Sequence, residues 1–311
     1  MWESERRGEA GFGLDPTGER LMPDAQHGEL VHAEHLARYL LAAQLASGRR
    51  VLDAACGEGY GTALLAAAGT SSAVGVDVDG ATVAHARRRY GLEFVQADIA
   101  ALPFEDDGFD LVVSFETIEH VQDPEAVLAE LRRVLAPDGL LVISTPNKLE
   151  YLVQNEFHVR EFTHEEFAAL LGRLFPSVHL LYQQNWLTST ILRQDGLREG
   201  SGERALAADL RKVASVEPGR ELYTVALCGT CADAAVEQVV VAAGIYEAHE
   251  LAHRLTDAIE TQARWRGEAD YWHDRWEQAT TRLNAMALSR SWRLTRPLRA
   301  PAKLGRWWRE R

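Results

Sequence analysis

Between Arg50 and Cys228 the chain switches repeatedly between two rhythms. Short apolar runs at Arg50–Asp53, Ala73–Asp77, Glu93–Gln96, Leu111–Phe115 and Leu140–Ser144 alternate with longer stretches in which apolar residues return at helical spacing. Alternation of this kind predicts an α/β fold on a doubly wound, mostly parallel sheet. A helix over Glu29–Ala46 precedes the first run. Asp79 is placed to cap the helix beginning near Ala81, and Asp123-Pro124 opens another with proline in its first turn. Pro137-Asp138-Gly139 breaks that helix and turns into the fifth strand. Past Cys231 the rhythm becomes heptad: Leu251, Leu255, Ala258, Gln262, Trp265, Ala269, Trp272, Trp276, Ala279, Leu283 and Met286 follow at steps of four and three. A seam kept apolar for five heptads predicts a long C-terminal helix in a coiled coil.

Composition fits this layout. A chain of 311 residues, 46% hydrophobic, is long enough for one α/β domain and an appendage. The expected organisation is an N-terminal arm (1–28), the sheet domain (29–230) with an insertion at about 187–218, a helical arm (231–290) and a basic tail (291–311). A net charge of −13 argues against a general nucleic-acid binder, which needs a basic surface. Met1-Trp2-Glu3-Ser4-Glu5 lacks a basic n-region, and no 18-residue apolar run occurs, so the expected location is the cytosol. Cys56, Cys228 and Cys231 do not make a disulfide framework in a chain of this size. Cys228 and Cys231 with His249 and His253 have zinc-type donors, but seventeen residues between the halves exceed the usual finger spacing, and both histidines fall off the heptad seam. Two cysteines ending a core strand is the plainer reading.

Candidate chemistry concentrates in Val51–Gly61, VLDAACGEGYG. An apolar run, an acid and the alternate glycines Gly57, Gly59 and Gly61 read as a first strand turning sharply into a helix, with backbone free to take positive φ and approach a ligand. Asp77 ends the second strand, where a carboxylate meets a ribose diol. A dinucleotide fingerprint would place its third glycine where Thr62 stands, and a pyrophosphate would be repelled by Asp53. An ammonium and a sulfonium suit Asp53 better, which favours S-adenosylmethionine over NAD. On these motifs the stretch Arg49–Cys228 resembles the class I S-adenosylmethionine-dependent methyltransferases. The resemblance implies a seven-stranded sheet closed by an antiparallel pair, here Ser177–Tyr182 and Glu221–Cys228. It also implies cofactor contacts at Asp53, Gly57, Gly59, Gly61, Asp77 and Val78, an adenine site at Asp98 and the Ile99 amide, and a carbonyl at Phe115 for the methionine ammonium. A solvated turn is the alternative for Asp98.

Thr17-Gly18-Glu19-Arg20, followed by Pro23, and the F-H-x-x-E-F arrangement of Phe157–Phe162 resemble a bacterial subgroup that methylates polysaccharides and sugars. That implies a saccharide or glycan-precursor hydroxyl as acceptor; another small metabolite, a nicotinamide enzyme or a cofactor-binding scaffold are the rivals. Methyl transfer to an alcohol needs a base near pKa 7 within hydrogen-bond reach. His158 is the candidate, with Glu161 orienting it or holding a sugar hydroxyl, and His120, after the fourth strand, faces cofactor or acceptor. The competing structural roles are packing for His158 and a helix-starting capping box for Thr163–Glu166. The sequence shows no metal triad, though some sugar methyltransferases use Mg²⁺. The arm is expected to form a homodimer. Residues 290–311 carry eight basic residues and one acid, +7 against −20 for the rest of the chain. With Trp292, Trp307 and Trp308 they are expected to reach the inner membrane face, or to fold back on the acidic domain of the dimer.

Overall fold

The computed structural model describes residues 30–151, 155, 157–186, 216–230, 235–241, 265, 267, 271–282 and 285. The chain divides into two units, Met1–Gly244 and Ile245–Arg311. In the first, the described elements are α1 (Leu30–Ala43), β1 (Arg50–Ala54), α2 (Tyr60–Ala67), β2 (Ser72–Asp77), α3 (Gly80–Tyr90), β3 (Glu93–Gln96) and β4 (Phe109–Ser114). A 3₁₀ turn at Ile118–His120, α4 (Pro124–Val134), β5 (Leu135–Pro146), α5 (His164–Leu171), β6 (Val178–Gln183) and β7 (Tyr223–Gly229) complete it. The strands form one seven-stranded sheet in the order β3-β2-β1-β4-β5-β7-β6. All pairings are parallel except those of β7 with β5 and β6. The doubly wound sheet is thus as the alternating pattern predicts, and its closing antiparallel pair as the resemblance implies.

Both faces of the central strands are buried, which is why those strands read as unbroken apolar runs. Leu52, Val112, Leu141 and Ile143 point to one layer, where Val127, Leu128 and Leu131 of α4 and Phe167 and Leu171 of α5 cover them. Val51, Leu111, Val113 and Val142 point to the other, under Tyr39 and Ala42 of α1 and Leu65 of α2. Order reverses between β1 and β4, so the crevice above their carboxyl ends is where this topology places a ligand.

Local signals set most boundaries. The Asp79 side chain accepts from Ala81 N at 3.0 Å and Asp123 from Ala126 N at 3.0 Å, capping α3 and α4. At α5 both halves of the Thr163–Glu166 capping box form. α1 stops at Ala43 rather than Ala46, because Gln44, Leu45 and Ala46 turn to tighter i→i−3 bonds ahead of Gly48 at φ 72°. β5 starts at Leu135, ahead of Pro137-Asp138-Gly139: Leu135 pairs with Phe109, and the register then jumps to Leu140 opposite Leu111. The proline-glycine turn is a bulge within the strand, not its beginning. Cys228 lies buried within β7, in the core. Cys231, His249 and His253, the 1–28 arm with Arg20, the insertion core at 187–215 and the 291–311 tail lie outside the described residues.

Candidate functional site

The turn from β1 to α2 carries three successive left-handed residues at alternate positions, Ala55 (φ 66°), Gly57 (55°) and Gly59 (96°). A non-glycine residue at positive φ is strained, and such strain collects at ligand-binding turns. Gly61 has no positive φ, which corrects the expectation for that glycine; a Cβ there would lie 2.0–2.5 Å from the Tyr39 ring. At Gly59 it would lie 2.8 Å from both Ala86 and Phe94. These two glycines admit neighbouring side chains of the protein. Glu58, between Gly57 and Gly59, is buried and tied down by Tyr90 Oη at 2.7 Å, His85 at 3.1 Å and Arg89 at 3.2 Å.

Asp53 does not stand at the mouth of the loop. It is 1% exposed and accepts from Thr62 Oγ1 at 2.7 Å and Tyr39 Oη at 3.2 Å. Burial pushes its carboxyl up to about 7, against the two hydrogen bonds and with help from the charge of Asp77. Asp77 reaches across to the turn: Oδ2 accepts from Gly57 N at 3.0 Å and Oδ1 from Asp79 N at 2.9 Å. The β2 carboxylate therefore shapes the glycine turn as well as facing the crevice. Val78, beside it, is 69% exposed, an apolar surface at the crevice edge. Asp98 is exposed and folds its Oδ1 onto Ala100 N at 2.8 Å, while Ile99 packs partly against the core.

The loops after β4 and β5 close the other side. Phe115 is buried with its ring 5.0 Å from that of Tyr39, and its carbonyl accepts from Thr117 Oγ1 at 2.9 Å. Glu116, at φ 49°, is a second strained residue at a strand end and accepts from Ser144 Oγ at 2.6 Å. The chain returning from β5 binds back on the 3₁₀ turn, with Val159 N and Arg160 N both donating to Glu119 O at 2.9 and 3.1 Å. This brings His158 against His120, ring centroids 4.9 Å apart at 78°. His158 Nδ1 donates to Glu161 Oε1 at 3.3 Å and His120 Nδ1 to Phe157 O at 3.1 Å. Contacts thus join the sequence-predicted residues in two groups, Asp77 with Gly57 together with Asp53, Gly61 and Phe115 around Tyr39, and His120 with His158 and Glu161.

Sequence reasoning missed what lies beneath the second group. Arg38 of α1 is buried, 4.0 Å from Glu116, donates to Gln183 at 2.7 Å and stacks on the Tyr223 ring at 4.8 Å. Glu34, one turn earlier, accepts from Tyr223 Oη at 2.8 Å. Burial raises Glu116, with Arg38 opposing, and burial together with the charge of Glu116 raises Glu119 well above the carboxylate range. The available signal was the acid-acid-histidine spacing Glu116, Glu119, His120 directly after a strand. Glu119, His120 and His158 bring one ligand atom each within 4.8 Å of the others, a metal-type cluster where the sequence reading saw no triad.

Residues 52–143 match the family model described as a methyltransferase domain. A probable S-adenosylmethionine-dependent methyltransferase of Mycobacterium tuberculosis (strain CDC 1551 / Oshkosh) is 40% identical over 164 residues, 51% of this chain and 60% of that protein. A demethylmenaquinone methyltransferase of Clavibacter sepedonicus is 42% identical over 107 residues, 32% of this chain and 43% of the relative. The chain thus spans less than two thirds of the length of these curated relatives. The crystal structure of a methyltransferase from Thermotoga maritima is similar at TM-score 0.47 and 18% identity, covering 63% of this chain and 89% of that one. The seven-stranded, mostly parallel sheet is consistent with a Rossmann-like methyltransferase fold.

Proposed function

We propose that the chain is an S-adenosylmethionine-dependent methyltransferase that binds its cofactor along the crevice from Asp77 to Phe115 and methylates an acceptor hydroxyl. The observation that carries this is the joining of the Asp77 carboxylate to the Gly57 amide at 3.0 Å, which fixes a strained glycine turn beside an exposed Val78 at the strand-order reversal. Adenosine would rest on Val78 and Ile99, its ribose on Asp77, and the methionine ammonium near the Phe115 carbonyl. S-adenosylmethionine held there would supply an activated methyl group, transferred to the acceptor oxygen as the methyl–sulfur bond pair returned to sulfur, and the chain's own part is to align the acceptor and take its proton. The acceptor proton leaves to Nε2 of His158, which the Nδ1–Glu161 hydrogen bond at 3.3 Å makes the basic nitrogen.

A saccharide or glycan-precursor acceptor is supported by the Phe157–Phe162 arrangement. The name of the Clavibacter relative favours a second class, a quinol-like ring acceptor. Calorimetry with S-adenosylmethionine and S-adenosylhomocysteine tests the cofactor; methyl transfer from labelled cofactor to sugar nucleotides, lipid-linked saccharides and quinols tests the acceptor. Turnover of quinols alone would replace the saccharide assignment, and no binding of either cofactor form would end the methyltransferase proposal. In His158→Ala we expect retained cofactor affinity and a loss of about 10²- to 10⁴-fold in turnover. The same proposal extends to partners: a second copy through the helical arm, and an anionic membrane surface through the tail.

A further inference from the structure

We propose that Glu119, His120 and His158 hold a divalent transition-metal ion, a site that stands on geometry alone and reaches beyond methyl transfer. Three features converge. Glu119 is 1% exposed, its Oε2 accepts from Thr145 Oγ1 at 3.1 Å, and its Oε1 has no hydrogen-bond partner among the described residues. A buried carboxylate oxygen without a partner is costly whether the group is charged or neutral, because neither form recovers its lost hydration. That same Oε1 lies 4.0 Å from His120 Nε2, and a ligand atom of His158 completes a group within 4.8 Å.

The second feature is the orientation of both imidazoles. His158 donates from Nδ1 to a carboxylate, Glu161, and His120 from Nδ1 to a backbone carbonyl, Phe157. Metal-binding histidines are held in this way, the outer hydrogen bond fixing the tautomer and leaving the lone pair on Nε2. The third is the tether. Val159 N and Arg160 N both bond to Glu119 O, so the loop bearing His158 is fastened to the backbone of the carboxylate it faces.

Two imidazole nitrogens and one carboxylate oxygen form a borderline donor set that suits Zn²⁺ or Co²⁺ over Mg²⁺ or Ca²⁺, with room for an exchangeable ligand such as an acceptor hydroxyl. Ligand atoms around a tetrahedral ion at about 2.0–2.1 Å lie roughly 3.3 Å apart, so loading draws the cluster inward by about an ångström. One Nε2 cannot hold an ion and accept a proton. Held by Glu119, His120 and His158, the ion would take over from His158 the acidification of a bound hydroxyl, whose proton would pass to solvent.

The test uses the tag-free full chain, stripped with chelator and titrated with Co²⁺ by absorption spectroscopy and with Zn²⁺ and Mg²⁺ by calorimetry. One Co²⁺ per chain with visible ligand-field bands, and Zn²⁺ bound more tightly than Mg²⁺, is expected. Glu119→Gln and His120→Ala should each weaken binding at least 100-fold, and Glu161→Gln, outside the ligand set, by about 10- to 100-fold. Thermal unfolding of the stripped variants identifies any that fail to fold, and Glu119→Gln, which keeps the Thr145 contact and the side-chain shape, is the deciding one. Unchanged Co²⁺ bands in folded Glu119→Gln, no binding to the parent, or a preference for Mg²⁺ would each overturn the site. Cofactor calorimetry on the stripped chain is read separately: cofactor binding without metal binding sinks this inference alone, and the reverse sinks the methyltransferase proposal alone.

Discussion

At the scale of single residues, the two aspartates of the glycine turn do different work, and each gives a prediction. Asp53 has a folded-state pKa near 7 against an ordinary 3.8, so between those values the folded chain holds more proton than the unfolded one. Stability therefore falls as pH rises through that window and levels off above about 7. Each pH unit inside it is worth at most about 1.4 kcal/mol. Relative to Asp53→Asn, the parent should lose roughly 2–3 kcal/mol of unfolding free energy between pH 5 and pH 8. Denaturant titrations at the two pH values measure this; parallel behaviour of parent and variant would show that Asp53 is not proton-linked to folding. Asp77 is engaged by two backbone amides, so Asp77→Ala acts twice. Cofactor affinity should drop by about 1.5–3 kcal/mol by calorimetry, and unfolding free energy by about 1–3 kcal/mol as Gly57 N and Asp79 N lose their acceptor. Unchanged affinity would remove Asp77 from the cofactor site.

At the scale of elements, what the sequence revealed was whatever a few neighbouring residues decide. Asp79, Asp123 and Thr163 each cap a helix through an amide two or three residues on, and the strands of the sheet centre announce themselves as apolar runs. Glycines at Gly57 and Gly59 follow from the same local logic. Gly61 does not, because its constraint is the ring of Tyr39 on a different helix, twenty-two residues earlier. Tyr39 fills the space beside Gly61, bonds Asp53 and packs on Phe115, so one aromatic ring joins β1, α2 and the end of β4. No window along the chain contains that contact. The same holds for Arg38 with Glu116 and Glu34 with Tyr223, whose partners are brought together only when α1 settles on the sheet. Gly61→Ala should accordingly cost about 1–3 kcal/mol by overpacking, read as a lower denaturation midpoint, while a turn built only for a ligand would tolerate the methyl.

At the scale of the whole molecule, each of the two units is judged by itself. In the second, Tyr271–Arg282 is helical, and Trp265, Trp272 and Trp276 on the heptad seam are 67%, 65% and 65% exposed. Large apolar rings repeated along one helical seam form a surface that proteins cover with a partner. Among the described residues no helix is long and apolar enough to cross a membrane. Association and membrane binding can therefore be separated by deletion. Removing 248–286 should abolish dimers in light scattering while leaving cofactor affinity within a factor of two or so of the parent, since every candidate cofactor residue from Asp53 to Phe115 lies in the first unit. Removing 290–311 should leave the dimer and abolish sedimentation with anionic liposomes, because the +7 of that segment supplies the attraction, about 1 kcal/mol per arginine near the surface, and falls away in high salt. If the tail instead folds back on the acidic domain, both chains sediment equally or not at all, and its deletion lowers the thermal stability of the first unit in a salt-dependent way.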